Sequence, residues 1–413
     1  MNIYLAIILT ILIGEYFLKL FVERLNIRNA SPILPEEFKG HYDAERYRKS
    51  QNYLIDNTKF ALFKGAVFTA LTIFFILFDG FNFVDLIARK LNLGSVPTGL
   101  IFAGILLIAY ELLTVPFAAY RTFVIEEKYG FNKTGLKTFV LDIIKGLLLS
   151  CIIGGAIFAG VIWFFESKGG CAWIYSWIAV TIVELFLTFI APILILPIFN
   201  KFIPLEEGEL KDSIEGYAKS QNFKIKSIFK MDASRRTSKS NAFFTGFGKS
   251  RKVALFDNLI EKHTVDELVS VLAHEIGHYK KRHIIKHLAL SIITQGFMFF
   301  VLSLFINNRG LFDAFKMDGL SVYASLVFFG FLYSPISLIF SVTANIFSRK
   351  CEYEADLFVA KTYKMPEAFI TALKKLTVDN LSNLTPHHMK VILSYSHPPI
   401  LERIKTFRSR IVY

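Results

Sequence analysis

Charge is scarce in this chain. Asp, Glu, Lys and Arg make up 20% of its 413 residues, against about 25% in an ordinary soluble domain, too few to coat a soluble particle of this size. Cysteine is scarcer still: Cys151, Cys171 and Cys351 are the three present, and they cannot build a disulfide framework. Internal repeats and low-complexity segments are missing, so disordered and collagen-like classes are excluded as well. Acidic residues are the minority sign, 34 against 47 Lys and Arg, for a formal charge of +13. No basic run carries a nucleic-acid reading motif. The excess therefore reads as basic loops beside anionic lipid, with no nucleic acid as partner.

Apolar residues are what the chain has in quantity: 53% are hydrophobic and 15% aromatic, and the mean hydropathy is +0.45. A membrane-spanning helix needs about 20 mostly apolar residues. Seven stretches qualify: 2–21, 60–83, 97–119, 137–165, 172–199, 284–306 and 320–347. The first lacks a basic start and a small-residue cleavage site, and Glu15 and Lys19 interrupt it, so it reads as a helix and not a signal peptide. The first and third loops carry 10 basic residues against 5 in the second, fourth and sixth, which puts the odd-numbered loops in the cytoplasm. Glu15, Glu111, Asp142, Lys145 and Glu184 fall inside the apolar stretches. Charges at that depth face a bundle interior or a water-filled cavity, so five of them predict a wet interior.

The fifth loop, 200–283, is the one stretch long enough for a soluble module. Helical spacing covers 208–222, strand-like runs cover 224–231, 241–247 and 252–256, and the polar run 232–240 reads as a turn or loop. A second helix begins at Thr264, an N-cap whose capping-box partner is Glu267. That helix carries His274-Glu275-Ile276-Gly277-His278. Residues four apart share a helical face, so the two imidazoles can grip one metal ion, and the glutamate beside the first can take a proton from water.

A catalytic zinc needs a third protein ligand. Just beyond the last apolar stretch stand Glu352, Glu354 and Asp356. Glu352 and Asp356 are four apart and share a face: Glu352 can complete the ligand set, and Asp356 can accept from the far nitrogen of a ligating histidine. Glu354 points about 200° away from Glu352 on an ideal helix and is the weaker ligand. By the same angular arithmetic His283 and His287, taken as a continuation of the histidine helix, lie far from the His274/His278 face and read as a headgroup-level basic cluster. Cys351 is turned about 100° from Glu352 and is discounted.

With these residues in view, the chain resembles the type I CAAX prenyl endopeptidases, integral-membrane zinc proteases. The resemblance extends beyond HExxH to FVIEEKYGFN (123–132), PIFNKFIPLEEGEL (197–210), SNAFFTGFG (240–248), VALFDNL (253–259), EYEAD (352–356) and HPPILER (397–403). One departure is Lys239, where the family pattern has histidine. The resemblance implies an all-α polytopic membrane protein whose seven transmembrane helices form a barrel around a chamber, capped by a cytoplasmic zincin-like α+β metalloprotease module. It implies that His397 and Arg403 approach the metal and steady an oxyanion, and that substrate lies beside Asn241 and Ala242, added as a strand to the sheet edge.

The expected organisation is membrane helices in 1–199 and 284–347, the HExxH loop domain in 200–283, and a C-terminal helical part in 348–413. The expected activity is zinc-dependent removal of the terminal tripeptide from prenylated CAAX-type proteins, with one Zn²⁺ per chain held by His274, His278 and Glu352 and with Glu275 as base. A quality-control protease acting on non-prenylated membrane proteins is the alternative. A transporter or lipid-binding barrel with a vestigial metal site is the reading from another class. Expected partners are the bilayer and a membrane-associated peptide or protein, in the endoplasmic reticulum of a eukaryote or the plasma membrane of a bacterium.

Overall fold

A computed structural model describes residues 2–245 and 252–411, with backbone alone for 243–245. In chain order, α1 (Ile3–Arg28), α2 (Ala44–Leu77), α3 (Ser95–Glu126), α4 (Leu136–Ser167) and α5 (Gly169–Phe199) come first. A small module follows, with β1 (Phe202–Pro204), α6 (Glu209–Ser220), β2 (Ser227–Met231), β3 (Ala242–Thr245), β4 (Lys252–Phe256) and α7 (Val265–Lys280). Then come α8 (His283–Ser303), α9 (Val322–Thr362), α10 (Pro366–Asp379) and α11 (Ile400–Arg408). Seven of these, α1 to α5 with α8 and α9, are long and apolar enough to cross a membrane, and the protein is an integral membrane protein.

Boundaries differ from the sequence reading for local reasons. The second span does not run on to 83: Asp79 adopts a left-handed conformation (φ 59°) and starts a separate helix, Gly80–Arg89. The last span does not end near 347. At about 1.5 Å per residue the 41 residues of α9 reach roughly 60 Å, twice the hydrocarbon thickness, so one continuous helix is long enough to carry Glu352 and Asp356 beyond the apolar layer. The short β1, interrupted by proline at its end, gave no sequence signal.

The spans close a ring. Each packs on the next from α1 to α5, α5 on α8, α8 on α9, and α9 returns to α1. At one end α9 also meets α3 and α4: a Cβ at Gly99 would stand 2.7 Å from Tyr323 and 2.8 Å from Ile162, so only glycine allows the three helices this close. Phe102, Ile162, Phe312, Tyr323 and Phe328 fill that end. Between the ends, polar groups pair across helices. Glu184 accepts from Ser291 (2.7 Å) and Gln295 (3.0 Å), Glu15 from Ser334 (2.6 Å), and Lys145 donates to the Ile198 carbonyl (2.8 Å). Asp142 takes a bidentate grip from Arg236 at 2.8 and 3.1 Å. Glu111 makes no side-chain hydrogen bond among the described residues.

The opposite end of the ring holds the module. Its sheet runs β1-β2-β4-β3, with β2 parallel to β4 and the other pairs antiparallel. Ile214, Ile228, Val253, Leu255, Leu272, Ile276, Phe369 and Phe407 form one core under the sheet, so α7, α10 and α11 belong to the same body. β3 takes up 242–245 of the 241–247 run, and Gly246 and Phe247 lie outside the described residues.

Candidate metal centre

The site grows from two helices that cross closely. Thr264 starts α7 with a reciprocal capping box: its hydroxyl accepts from Glu267 N (3.4 Å) and its own N–H donates to the Glu267 carboxylate (3.0 Å). Three turns later His274 and His278 face α9. Gly277 lies at the crossing, where a Cβ would stand 3.1 Å from the Cα and the carbonyl oxygen of Ala355. Ala355 is flanked on α9 by Glu352 and Asp356, so the close approach of backbones brings those carboxylates to the imidazoles.

Ligand atoms of His274, His278 and Glu352 lie within 4.8 Å of one another. The two Nε2 atoms are 3.0 Å apart, and the Glu352 oxygens stand 3.4 Å from His274 Nε2 and 3.3 Å from His278 Nε2. A tetrahedral ion with bonds of about 2.0–2.1 Å spaces its ligand atoms about 3.3–3.4 Å apart, so the cluster fits zinc. Glu352 is 4% exposed, and its Oε2 has no hydrogen-bond partner among the described residues, a burial that a cation would relieve.

Behind the cluster, Asp356 stands 2.9 Å from His274 Nδ1. The same carboxylate receives Arg403 at 2.6 and 2.7 Å. Burial opposes the Arg403 charge, but Asp356 and Glu352 outweigh it and hold the guanidinium above its ordinary value. Burial and Arg403 likewise press His274 to lose its proton, yet hydrogen bonds to Asp356 and Glu352 hold its pKa up at about 9. The pocket thus attracts positive charge strongly. Glu275 is half-buried, and burial pushes its carboxyl upward against the pull of His274 and His278. A raised carboxylate pKa suits a proton acceptor working near neutrality.

His397 Nε2 lies 3.3 Å from Glu352 Oε1. Its side chain is 64% exposed because it faces a cavity of about 700 Å³, lined also by Tyr53, Arg121, Tyr395 and Arg403. Protein surrounds it on a wider scale, and that loss of solvent pulls its pKa below 6.5.

One angular inference needs correction. His283 is not on the α7 helix: Arg282 takes a left-handed conformation (φ 57°) and breaks the rod, so counting 100° per residue across it fails. The turn brings His283 back, with Nδ1 2.9 Å from His278 Nδ1. Glu354, on a different face from Glu352, reaches His283 Nε2 at 3.1 Å. The backbone signal was weak, since a left-handed arginine announces itself by no residue type. His287 does lie apart, its ring against Phe347. Cys351 is buried and makes no ligand contact among the described residues.

Ala242 opens β3, the last strand in the sheet order, and Asn241 immediately precedes it. The Asn241 carbonyl accepts from Phe256 N (3.2 Å). Just upstream, Lys239 donates to Tyr53 (2.7 Å) and Glu126 (2.9 Å) and takes no part in the His274–His278–Glu352 group.

Residues 23–201 match the family described as CAAX prenyl protease N-terminal, five membrane helices, and residues 204–411 match peptidase family M48. The "Probable CAAX prenyl protease 1" of Schizosaccharomyces pombe is 35% identical, over 95% of this chain and 86% of its own length. A "CAAX prenyl protease 1 homolog" of Oryza sativa subsp. japonica is 33% identical over 97% of this chain and 96% of its own. The crystal structure of S. mikatae Ste24p resembles this one with a TM-score of 0.93 at 30% identity, covering 98% of this chain and 99% of that chain.

Proposed function

The chain belongs to peptidase family M48, and from that membership we propose that it is a membrane zinc endopeptidase that removes the terminal tripeptide from prenylated CAAX-type proteins. The relatives' names, CAAX prenyl protease, support the substrate class. The observation that carries the reading is the meeting of His274, His278 and Glu352 within 4.8 Å, where His397 and Arg403 border a cavity of about 700 Å³. We assign membrane helices to 1–199 and 284–347 and the protease parts to 200–283 and 348–413, with the active site on the cytoplasmic side that the basic loops favour.

His274, His278 and Glu352 would hold the zinc. When bound, zinc supplies Lewis acidity, polarising the scissile carbonyl and making water a stronger acid. Glu275 takes the proton from the attacking water and passes it to the leaving amine. His397, open to the cavity, is placed to donate to the oxygen that gains charge on the attacked carbonyl. Arg403 is buried, grips Asp356 and reaches Glu352 Oε2 at 3.5 Å; its part is to hold both carboxylates and, through Asp356, His274. An extended peptide adds to β3 beside Asn241 and Ala242 by main-chain hydrogen bonds. A prenyl chain gains about 0.8 kcal/mol per buried CH₂, so a ring of apolar spans can keep it while the peptide end reaches the metal.

The test is cleavage of a farnesylated peptide and its unmodified counterpart by the full chain in detergent, with and without a chelator. Chelator-sensitive release of the tripeptide from the farnesylated peptide is expected. Equal cleavage of both peptides would transfer the reading to quality-control proteolysis. Zinc uptake without hydrolysis of either would overturn the enzyme.

A further inference from the structure

His283 is 2% exposed, ionisable, and unused by the chemistry above. Both of its ring nitrogens are engaged. Nδ1 stands 2.9 Å from Nδ1 of His278, and Nε2 stands 3.1 Å from Oε2 of Glu354. The two rings meet edge to face at 76°.

The direction of these bonds follows from the ligand. His278 turns Nε2 toward His274 and Glu352, at 3.0 and 3.3 Å, so that nitrogen's lone pair is the one a cation can use. A neutral imidazole has a single N–H, which for His278 is then at Nδ1. It donates to Nδ1 of His283, which accepts. The hydrogen of His283 therefore sits on Nε2 and is donated to Glu354. Only this order gives every donor an acceptor.

We infer that His283 and Glu354 form a relay that fixes the tautomer and ring orientation of His278 as a metal ligand. On the other side of the site Asp356 stands directly behind His274. Glu354, turned away from the Glu352 face, bonds His283 and not His278; the left-handed turn at Arg282 supplies the ring between them. Lys286 lies 3.6 Å from the same Glu354 oxygen and helps to hold it. An acceptor behind a ligating histidine raises its basicity and restricts its rotation, and removing such a partner costs about 10–100-fold in metal affinity.

The inference rests on the zinc reading of His274, His278 and Glu352. It is tested by zinc affinity, measured against a chromophoric chelator with the full chain in detergent, and by the visible spectrum of the cobalt-substituted protein. His283→Phe keeps a buried ring and removes both nitrogens; zinc affinity should fall about 10–100-fold and the cobalt band should shift. His283→Asn places an amide oxygen near the lost Nδ1 and should restore much of both. Glu354→Leu, which leaves the buried ring in place, should weaken zinc in the same direction by a smaller factor. Unchanged affinity and spectrum in His283→Phe, or equal losses in the Phe and Asn variants, would overturn the relay alone. Failure of the unmodified chain to take up zinc would overturn the metal reading, and the relay with it.

Discussion

A Cβ at Gly277 would stand 3.1 Å from both the Cα and the carbonyl oxygen of Ala355. Those are backbone atoms of α9, so they cannot rotate away as a side chain would. The ligands on the two helices are held at bonding distance by the absence of one side chain.

Gly277→Val should therefore separate α7 from α9 and spread the ligand set. Overpacking of this kind costs about 1–3 kcal/mol, and zinc content per chain should fall together with the unfolding temperature. Gly277→Ala should show the same two effects more weakly. Full zinc occupancy in the valine variant would contradict the crossing as the source of the geometry.

Glu275 contributes no atom to the three-residue group, yet it lies half-buried against it. Glu275→Gln should keep zinc at the parental level and lose about 10²–10⁴-fold in turnover. Parental cleavage rates in this variant would reassign the base.

Arg403 and Asp356 form a buried bidentate pair. Removing one partner leaves an uncompensated buried charge, at a cost of about 3–5 kcal/mol. Asp356→Ala should unfold at lower temperature and also bind zinc less tightly, because His274 loses the acceptor at its Nδ1. The double variant Asp356→Ala with Arg403→Met should recover part of the stability and none of the zinc affinity. Measuring the two quantities separately distinguishes the packing role from the orienting one.

His263 joins the helix Asp257–Lys262 to α7, buried, with Nδ1 donating to the Leu259 carbonyl at 3.2 Å and Nε2 without a hydrogen-bond partner among the described residues. Burial lowers its pKa below 6.5, against the pull of Glu267. The folded chain then binds this proton less readily than the unfolded one, so its contribution is fully present above pH 6.5 and is lost as pH falls toward the folded pKa. His263→Phe should flatten the fall in unfolding temperature between about pH 7.5 and 5.5, at most about 1.4 kcal/mol per pH unit for one proton. An unchanged slope would assign it to other groups.

Much of the architecture was legible because its signals are local. Long apolar runs gave all seven spans in order, and the Thr264/Glu267 pair gave the start of the metal-binding helix. Where runs were read past a backbone break, at Asp79 and at Arg282, the reading failed, since a left-handed turn cancels the angular bookkeeping beyond it. The resemblance supplied His397 and Arg403, which no periodicity singles out.

By itself the sequence determined that two imidazoles four residues apart share one helical face, that seven apolar segments are long enough to span a bilayer, and that the chain falls in the family its motifs resemble. Those are properties of single unbroken segments, settled by the rise and pitch of a helix. Only the tertiary structure decided that Glu352, which helical spacing favours over Glu354, comes within reach of both His274 and His278, and that Glu354 turns instead to His283. The partners come from helices joined through a span and a loop, and their meeting depends on how closely two backbones cross at Gly277. No local periodicity encodes that distance.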